Sequence, residues 1–252
     1  MSSQKPLRSQ TDLEKEMAAA ADVSDDVAPD KKPTILVVTP EITYLPEGMG
    51  NMAQRMSAKA GGMADVSASL VSALYDQGAD VHVALPNYRR MFNMDVQAVH
   101  DREYNRVRAN LGEERIHLAE DRIFYHRDEI YADENLRVAL AFQREVINHI
   151  IPRVRPDLIH CNDWMTGLIP AVAKRFNIPS LITLHNIHTE KVTMEEIEDR
   201  GIDAAEFWQH LYFERAPYSY EESRVHNPTD LLASGIFAAD HVNTVSETFL
   251  HA

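Results

Sequence analysis

The chain has 252 residues, 44% apolar and 25% charged, a balance able to bury a sizeable core. Lys and Arg number 25 against 39 Asp and Glu, and the net charge of −14 argues against nucleic acid and anionic membranes as partners. No apolar run approaches the ~18 residues of a membrane span, no secretory signal opens the chain, and the lone cysteine, Cys161, excludes an intrachain disulfide framework and fits a reducing cytoplasm.

Residues 1–32 read as a separate, disordered acidic tail. They carry no aromatic residue, and the stretches Ala18–Ala21 and Asp25–Asp26 are low in complexity. Thr11 and Glu14 match a capping box, so a transient helix is compatible with that reading. Residues 33–252 are expected to form the folded lobe.

Within it, Thr34-Ile-Leu-Val-Val-Thr39 is short and almost wholly apolar, the pattern of a buried parallel strand. A long loop from Pro40 to Ala60 follows. Met63, Val66, Leu70, Ala73 and Leu74 recur at helical spacing between Gly62 and Gln77, with Gly78 at the C-cap position. Val81–Leu85 is a second strand, which makes residues 34–85 a β-loop-α-β unit with a right-handed crossover. Alternation over Arg115–Leu118 and Arg122–Tyr125 suggests two short strands, as in a hairpin. Then come a helix over 134–154, a strand over 158–160, a helix over 166–176 and a strand over 180–184. Helical segments over 193–215 and 228–238 precede a last strand, 241–245. Alternating strands and helices make an α/β class with a doubly wound, mostly parallel sheet. Residues 190–230 hold eleven Asp or Glu against four Lys or Arg, the composition of a solvated face.

Ligands of such sheets bind outside the carboxyl ends of the strands. The ends here are Pro40-Glu41, Pro86-Asn87, Cys161-Asn-Asp163, His185-Asn186 and Ser246-Glu247. Three motifs carry chemistry. In Lys59-Ala-Gly-Gly-Met-Ala-Asp-Val66 two glycines beside a lysine precede a helix, whose first amides form an anion seat suited to a nucleotide-sugar diphosphate; an ordinary loop-to-helix junction explains the same residues. In His160-Cys-Asn-Asp-Trp-Met-Thr-Gly167, Asp163 can accept hydrogen bonds from sugar hydroxyls and Trp164 can wall the sugar; alternatively Asp163 caps the following helix and Trp164 is core. In Thr183-Leu-His-Asn-Ile-His188, His185 can hydrogen-bond a hydroxyl or be a satisfied buried histidine. A metal on His185, His188 and Glu190 lacks any supporting ligand motif. Gly48-Met-Gly-Asn-Met-Ala53 imitates a dinucleotide fingerprint but lies too far from both the strand and the next helix. There is no Asp-x-Asp clamp, no Gly-x-Ser-x-Gly elbow and no Walker A loop, so no metal or other cofactor is expected.

These blocks, with Leu85-Pro-Asn-Tyr88, Pro156-Asp157 and Gly235-Ile-Phe-Ala-Ala-Asp-His-Val-Asn-Thr-Val-Ser246, run in order from Thr34 to Ser246. Together they resemble the N-terminal lobe of the ADP-glucose-type glycogen and starch synthases. That resemblance implies a Rossmann-like lobe of a GT-B fold, and transfer of glucose from ADP-glucose or UDP-glucose to an α-1,4-glucan with retention. It implies donor contacts from Lys59, Gly61, Gly62 and Asp65, glucose contacts from Asp163 and His185, and acceptor or supporting roles for Asn186 and Trp164. It further implies a second lobe beyond this chain, without which the chain is expected to be inactive. The chain departs from the family pattern at Ala60, Asn162 and Met165, in its longer 41–60 loop, and after Asn186, where Ile187-His-Thr-Glu190 replaces the usual aromatic-Gln-Gly. A stand-alone, non-catalytic glucan-binding or regulatory module is the competing function.

Overall fold

A computed structural model of the chain describes residues 32–50, 53, 56–92 and 115–246. The tail reading and the Thr11 capping box, together with Glu247, lie outside the described residues.

In chain order the elements are strand β1 (Thr34–Val38), helix α1 (Gly62–Asp76), strands β2 (Asp80–Pro86) and β3 (Ile116–Ala119), and helix α2 (Asn135–Glu145). There follow strand β4 (Leu158–Asn162), helix α3 (Ile169–Arg175), strands β5 (Ser180–Leu184) and β6 (Lys191–Val192), helices α4 (Met194–Glu198) and α5 (Tyr220–His226), strand β7 (Thr229–Asp230), helix α6 (Leu231–Ala238) and strand β8 (His241–Thr244). Six of the strands form one sheet in the order β3-β2-β1-β4-β5-β8, every pair parallel. β6 and β7 make a small antiparallel ribbon beside it.

The apolar run of β1 is buried through Leu36, Val37 and Val38, as a strand covered on both faces requires. α1 buries Met63, Ala64, Ser67, Ala68 and Val71, one stripe of a 3.6-residue period. It stops where Gly78 adopts φ 73° and its N–H returns to the Tyr75 carbonyl. α2 continues through a π-helical stretch, Val146–Ile150, into a last turn, Ile151–Val154. The widening precedes Pro152, which has no N–H to give the Asn148 carbonyl and whose ring would crowd it.

Two aspartates of the sequence motifs set strand register. Asp157 accepts from the Thr34 amide at 2.9 Å and returns its own N–H to the Thr34 carbonyl. Asp240 makes the same pair of bonds with Ser180, its carboxylate 2.9 Å from that amide. Each locks the start of a parallel strand to its neighbour.

Three expected elements differ. Alternation predicts a strand at 122–125, but these residues form one helical turn, nucleated by the Asp121 side chain accepting from the Ile123 amide. Among the described residues β3 therefore pairs only with β2, in parallel. Of the helical stretch expected over 193–215, the α-helix is five residues long and short 3₁₀ turns follow: Thr193 and Glu196 form its capping box, and Gly201 leaves the helical region at φ 83°. Over 228–238 the chain is first β7, and α6 starts only at Leu231.

Candidate functional site

The sheet's topological switch point lies between β1 and β4, from which the strand order runs outward in both directions. Glu41 follows β1 and Asp163 follows β4, so an acidic residue stands on each side of that crevice. Each is 1% exposed.

Asp163 is held from several directions. Its N–H extends the sheet ladder to the Thr183 carbonyl at 3.0 Å. Its carboxylate accepts from the His185 amide (2.8 Å) and from Asn186 Nδ2 (3.0 Å), and Asn186 Oδ1 accepts from the His188 amide (2.7 Å). Its backbone sits at φ 55°, ψ −174°, a region that residues with a Cβ rarely adopt. Burial raises its pKa to about 6; the two donated hydrogen bonds oppose this and the Glu41 charge adds to it.

His185 is fixed by its other neighbour. Asn162 Nδ2 donates to the Val38 carbonyl, which leaves Asn162 Oδ1 to accept from His185 Nε2 at 2.9 Å. The proton is thereby assigned to Nε2 and the lone pair to Nδ1. Burial lowers the His185 pKa to about 4, so the ring is neutral at physiological pH.

The glycine loop is at the mouth of β1, but its amides are taken. Glu41 Oε2 accepts from the Ala60 and Gly61 amides at 2.6 and 2.9 Å, and Tyr131 donates to Oε1 at 3.4 Å. Lys59 Nζ pairs with Asp65 Oδ2 at 2.7 Å, both side chains about half exposed, and Thr43 donates to the other Asp65 oxygen. The Lys59 bond holds the Asp65 carboxyl below the usual aspartate range. Gly61 and Gly62 both have negative φ, and a Cβ built on Gly62 meets nothing within 4 Å.

The expected residues thus fall into two groups joined by Glu41: Asp163, His185 and Asn186 in one cluster, and Lys59, Gly61, Gly62 and Asp65 around the loop. Trp164 is 3% exposed, with its ring 5.4 Å from that of His188. The capping alternative for Asp163 fails, because its side chain caps no helix. His188 faces Glu190 at 3.7 Å while His185 turns to Asn162, and among the described residues no three His, Cys, Asp or Glu side chains gather to hold a metal. Gly48 and Met49 of the dinucleotide imitation lie in a 3₁₀ turn, Glu47–Met49, and α1 begins only at Gly62. The candidate residues chosen from sequence omit Glu41 and Tyr131. Glu41 had a signal, its place at a strand end; Tyr131 had none.

A parallel sheet in this order, with a polar cluster at its switch point, defines a Rossmann-like α/β fold, a class in which ligands bind at the strand ends. The model of the starch synthase catalytic domain matches residues 34–251, and the chain belongs to that family. It is 32% identical over 224 residues to "Glycogen synthase 2" of Geobacter metallireducens, covering 77% of this chain and 44% of that protein. It is 28% identical over 235 residues to "Glycogen synthase" of Moorella thermoacetica, covering 85% of this chain and 44% of that protein. The chain therefore spans less than half the length of these relatives. Among solved structures, SsfS6, a Streptomyces sp. SF2575 glycosyltransferase, matches 70% of this chain and 46% of its own, with 15% identity and a TM-score of 0.28. Among the described residues no helix is long and apolar enough to cross a membrane.

Proposed function

We propose that this chain forms one wall of a cytoplasmic glucosyltransferase that moves glucose from ADP-glucose or UDP-glucose to the non-reducing end of an α-1,4-glucan, with retention. The other wall is a second lobe, corresponding to the part of the longer relatives that this chain does not span; the chain alone is inactive.

The observation that carries this reading is the convergence of Asp163, His185 and Asn186 beside Glu41 at the switch point. His185 offers a fixed, neutral Nδ1 to a sugar hydroxyl. Asp163 braces His185 and Asn186, and each of its oxygens keeps a second lone pair for a glucose hydroxyl. Lys59 neutralises the donor diphosphate, with Asp65 near the nucleotide, and no metal is needed. In this chemistry the acceptor oxygen bonds to the glucose anomeric carbon as the bond to the diphosphate breaks. The acceptor proton passes to the departing diphosphate.

The glycines add independent support. Neither backbone conformation nor neighbouring atoms require glycine at position 62, which leaves that backbone open to a ligand approaching from outside the chain. Gly62→Ala is expected to leave the melting temperature unchanged or raised, since alanine is the better helix former by about 1 kcal/mol. In the complete enzyme it raises the KM for the nucleotide sugar at least tenfold. A loss of stability, or an unaltered KM, would remove this support.

The function itself is tested by incubating the complete protein with radiolabelled ADP-glucose or UDP-glucose and glycogen. Label in polymer is expected; none with either donor defeats the reading.

A further inference from the structure

We propose that Glu41 is a positioning residue: its buried carboxylate occupies the Ala60 and Gly61 amides, fixes the glycine loop, leaves Lys59 as the loop's group for the donor phosphates, and ties the loop to Asp163. The word donor rests on the glucosyltransferase reading; the clamp itself does not.

The loop motif by itself suggests that the amides beside the paired glycines seat a diphosphate. Two of them already bind a carboxylate, at 2.6 and 2.9 Å. These are charge-assisted bonds, about twice as strong as neutral ones. A phosphate taking the same amides would have to expel a carboxylate that is 1% exposed, or lie against its negative charge. Lys59 carries no such obstacle. Its partner Asp65 is half exposed, so exchanging that carboxylate for a phosphate moves a surface ion pair and leaves the core intact.

Glu41 also reaches the other half of the site. Its second oxygen accepts from Tyr131, and its charge acts on both Tyr131 and Asp163. The groups that face Asp163 are Glu41 after β1, Tyr131 before α2, and His185, Asn186 and His188 after β5. Among them Glu41 is the one whose negative charge resists ionisation of Asp163.

The test uses the isotope-labelled 252-residue chain and Glu41→Gln. In the variant the Ala60 and Gly61 amide protons are expected to move upfield and to exchange with solvent about tenfold faster, as a weakened charge-assisted bond requires. The titration of Asp163, followed at the His185 amide, has its midpoint at about 6 in the wild type and falls in the variant. A merely structural glutamate would leave that midpoint in place. Unchanged amides with an unchanged midpoint overturn the proposal. If Glu41→Gln does not fold, the wild type decides: the Ala60 and Gly61 amide protons are both shifted downfield and protected from exchange if Glu41 holds both, and are not if it does not.

In the complete enzyme, Glu41→Gln is expected to raise the nucleotide-sugar KM about tenfold while kcat falls by less. An enzyme whose wild type transfers no glucose defeats the glucosyltransferase reading, while the amide result still judges the clamp.

Discussion

Asp163→Gly is expected to make the chain more stable at pH 7, and to cost the complete enzyme a factor of about 10²–10³ in kcat, the loss typical of removing one fixed polar group from a reacting centre. Two features of the folded state oppose aspartate at this position. Its backbone lies at φ 55°, ψ −174°, where a Cβ costs about 1–3 kcal/mol and glycine does not. Its carboxylate is buried with a pKa of about 6, whereas in the unfolded chain an aspartate titrates at its ordinary 3.8. At neutral pH that difference disfavours folding by about 3 kcal/mol. Against these gains stand the acceptor lost to the His185 amide and Asn186, about 1–3 kcal/mol, and the added freedom of glycine when unfolded, about 0.5–1 kcal/mol. The balance favours the variant by roughly 1–2 kcal/mol.

The pH dependence follows from the direction of the shift. Between pH 4 and 6 the folded chain binds more protons at Asp163 than the unfolded chain does, so this group lowers stability as pH rises through that window and nothing more above it. The advantage of Asp163→Gly should therefore grow from pH 4 to 6 and then level off. Asp163→Ala removes the charge but keeps the Cβ, and should be the less stable of the two variants by about 1 kcal/mol or more. Thermal melts across this range decide the matter. Alanine equal to glycine would mean that the backbone is unstrained, and an advantage independent of pH would mean that charge burial is not the cause. A position at which the native residue is locally unfavourable fits a selected function better than a structural role.

What could be read in the sequence follows from the range of the interactions involved. β1 is legible because a strand buried on both faces is a plain apolar run, β4 and β5 because short apolar stretches alternate with helical patterns, and the strand-end rule brings Asp163, His185 and Asn186 together without any knowledge of their contacts. The reading of Arg122–Tyr125 as a strand followed the alternation and overlooked Asp121, a helix cap one residue upstream. The helical stretch expected over 193–215 likewise contains Gly201, whose positive φ interrupts it. The Glu41 clamp is different in kind. It depends on the 41–60 loop folding back, with Ile42 and Ala58 exchanging backbone hydrogen bonds, so that a carboxylate meets amides 19 and 20 residues away. No local pattern encodes that closure, and Tyr131, 90 residues from Glu41, is further still. The same holds for the motif residues themselves. Asp157 and Asp240 read as part of a functional signature, yet their contacts are those of strand register.

Gly167→Ala should do the opposite of Asp163→Gly and lower stability by about 3 kcal/mol or more. Gly167 follows the turn Trp164–Thr166 with an ordinary helical backbone, φ −65°, so conformation does not demand glycine there; space does. A Cβ at this position would lie 2.0 Å from the Leu231 carbonyl oxygen, 2.7 Å from its carbon and 3.1 Å from the Trp164 oxygen, all of them backbone atoms. Relief requires moving α6, and α6 is tied down at its start: the Leu231 amide donates to the Glu190 carbonyl, the Leu232 amide to Thr189 Oγ1, and Asp230 caps the Ala233 amide. Two of those anchors, Thr189 and Glu190, belong to the segment that leaves β5 beyond His185 and Asn186, so the displacement also disturbs the site. Gly235 is the control. Its Cβ would meet the Ile182 Cδ1 end at 2.6 Å and the Gly167 Cα at 3.2 Å, and a methyl at the end of a side chain can turn aside. Gly235→Ala should therefore cost about 1–2 kcal/mol, and at 2–4 °C per kcal/mol Gly167→Ala should melt roughly 10 °C below the wild type. If the two variants melt together, or Gly167→Ala melts with the wild type, the close approach of α6 to the Trp164–Thr166 turn is not what makes glycine necessary.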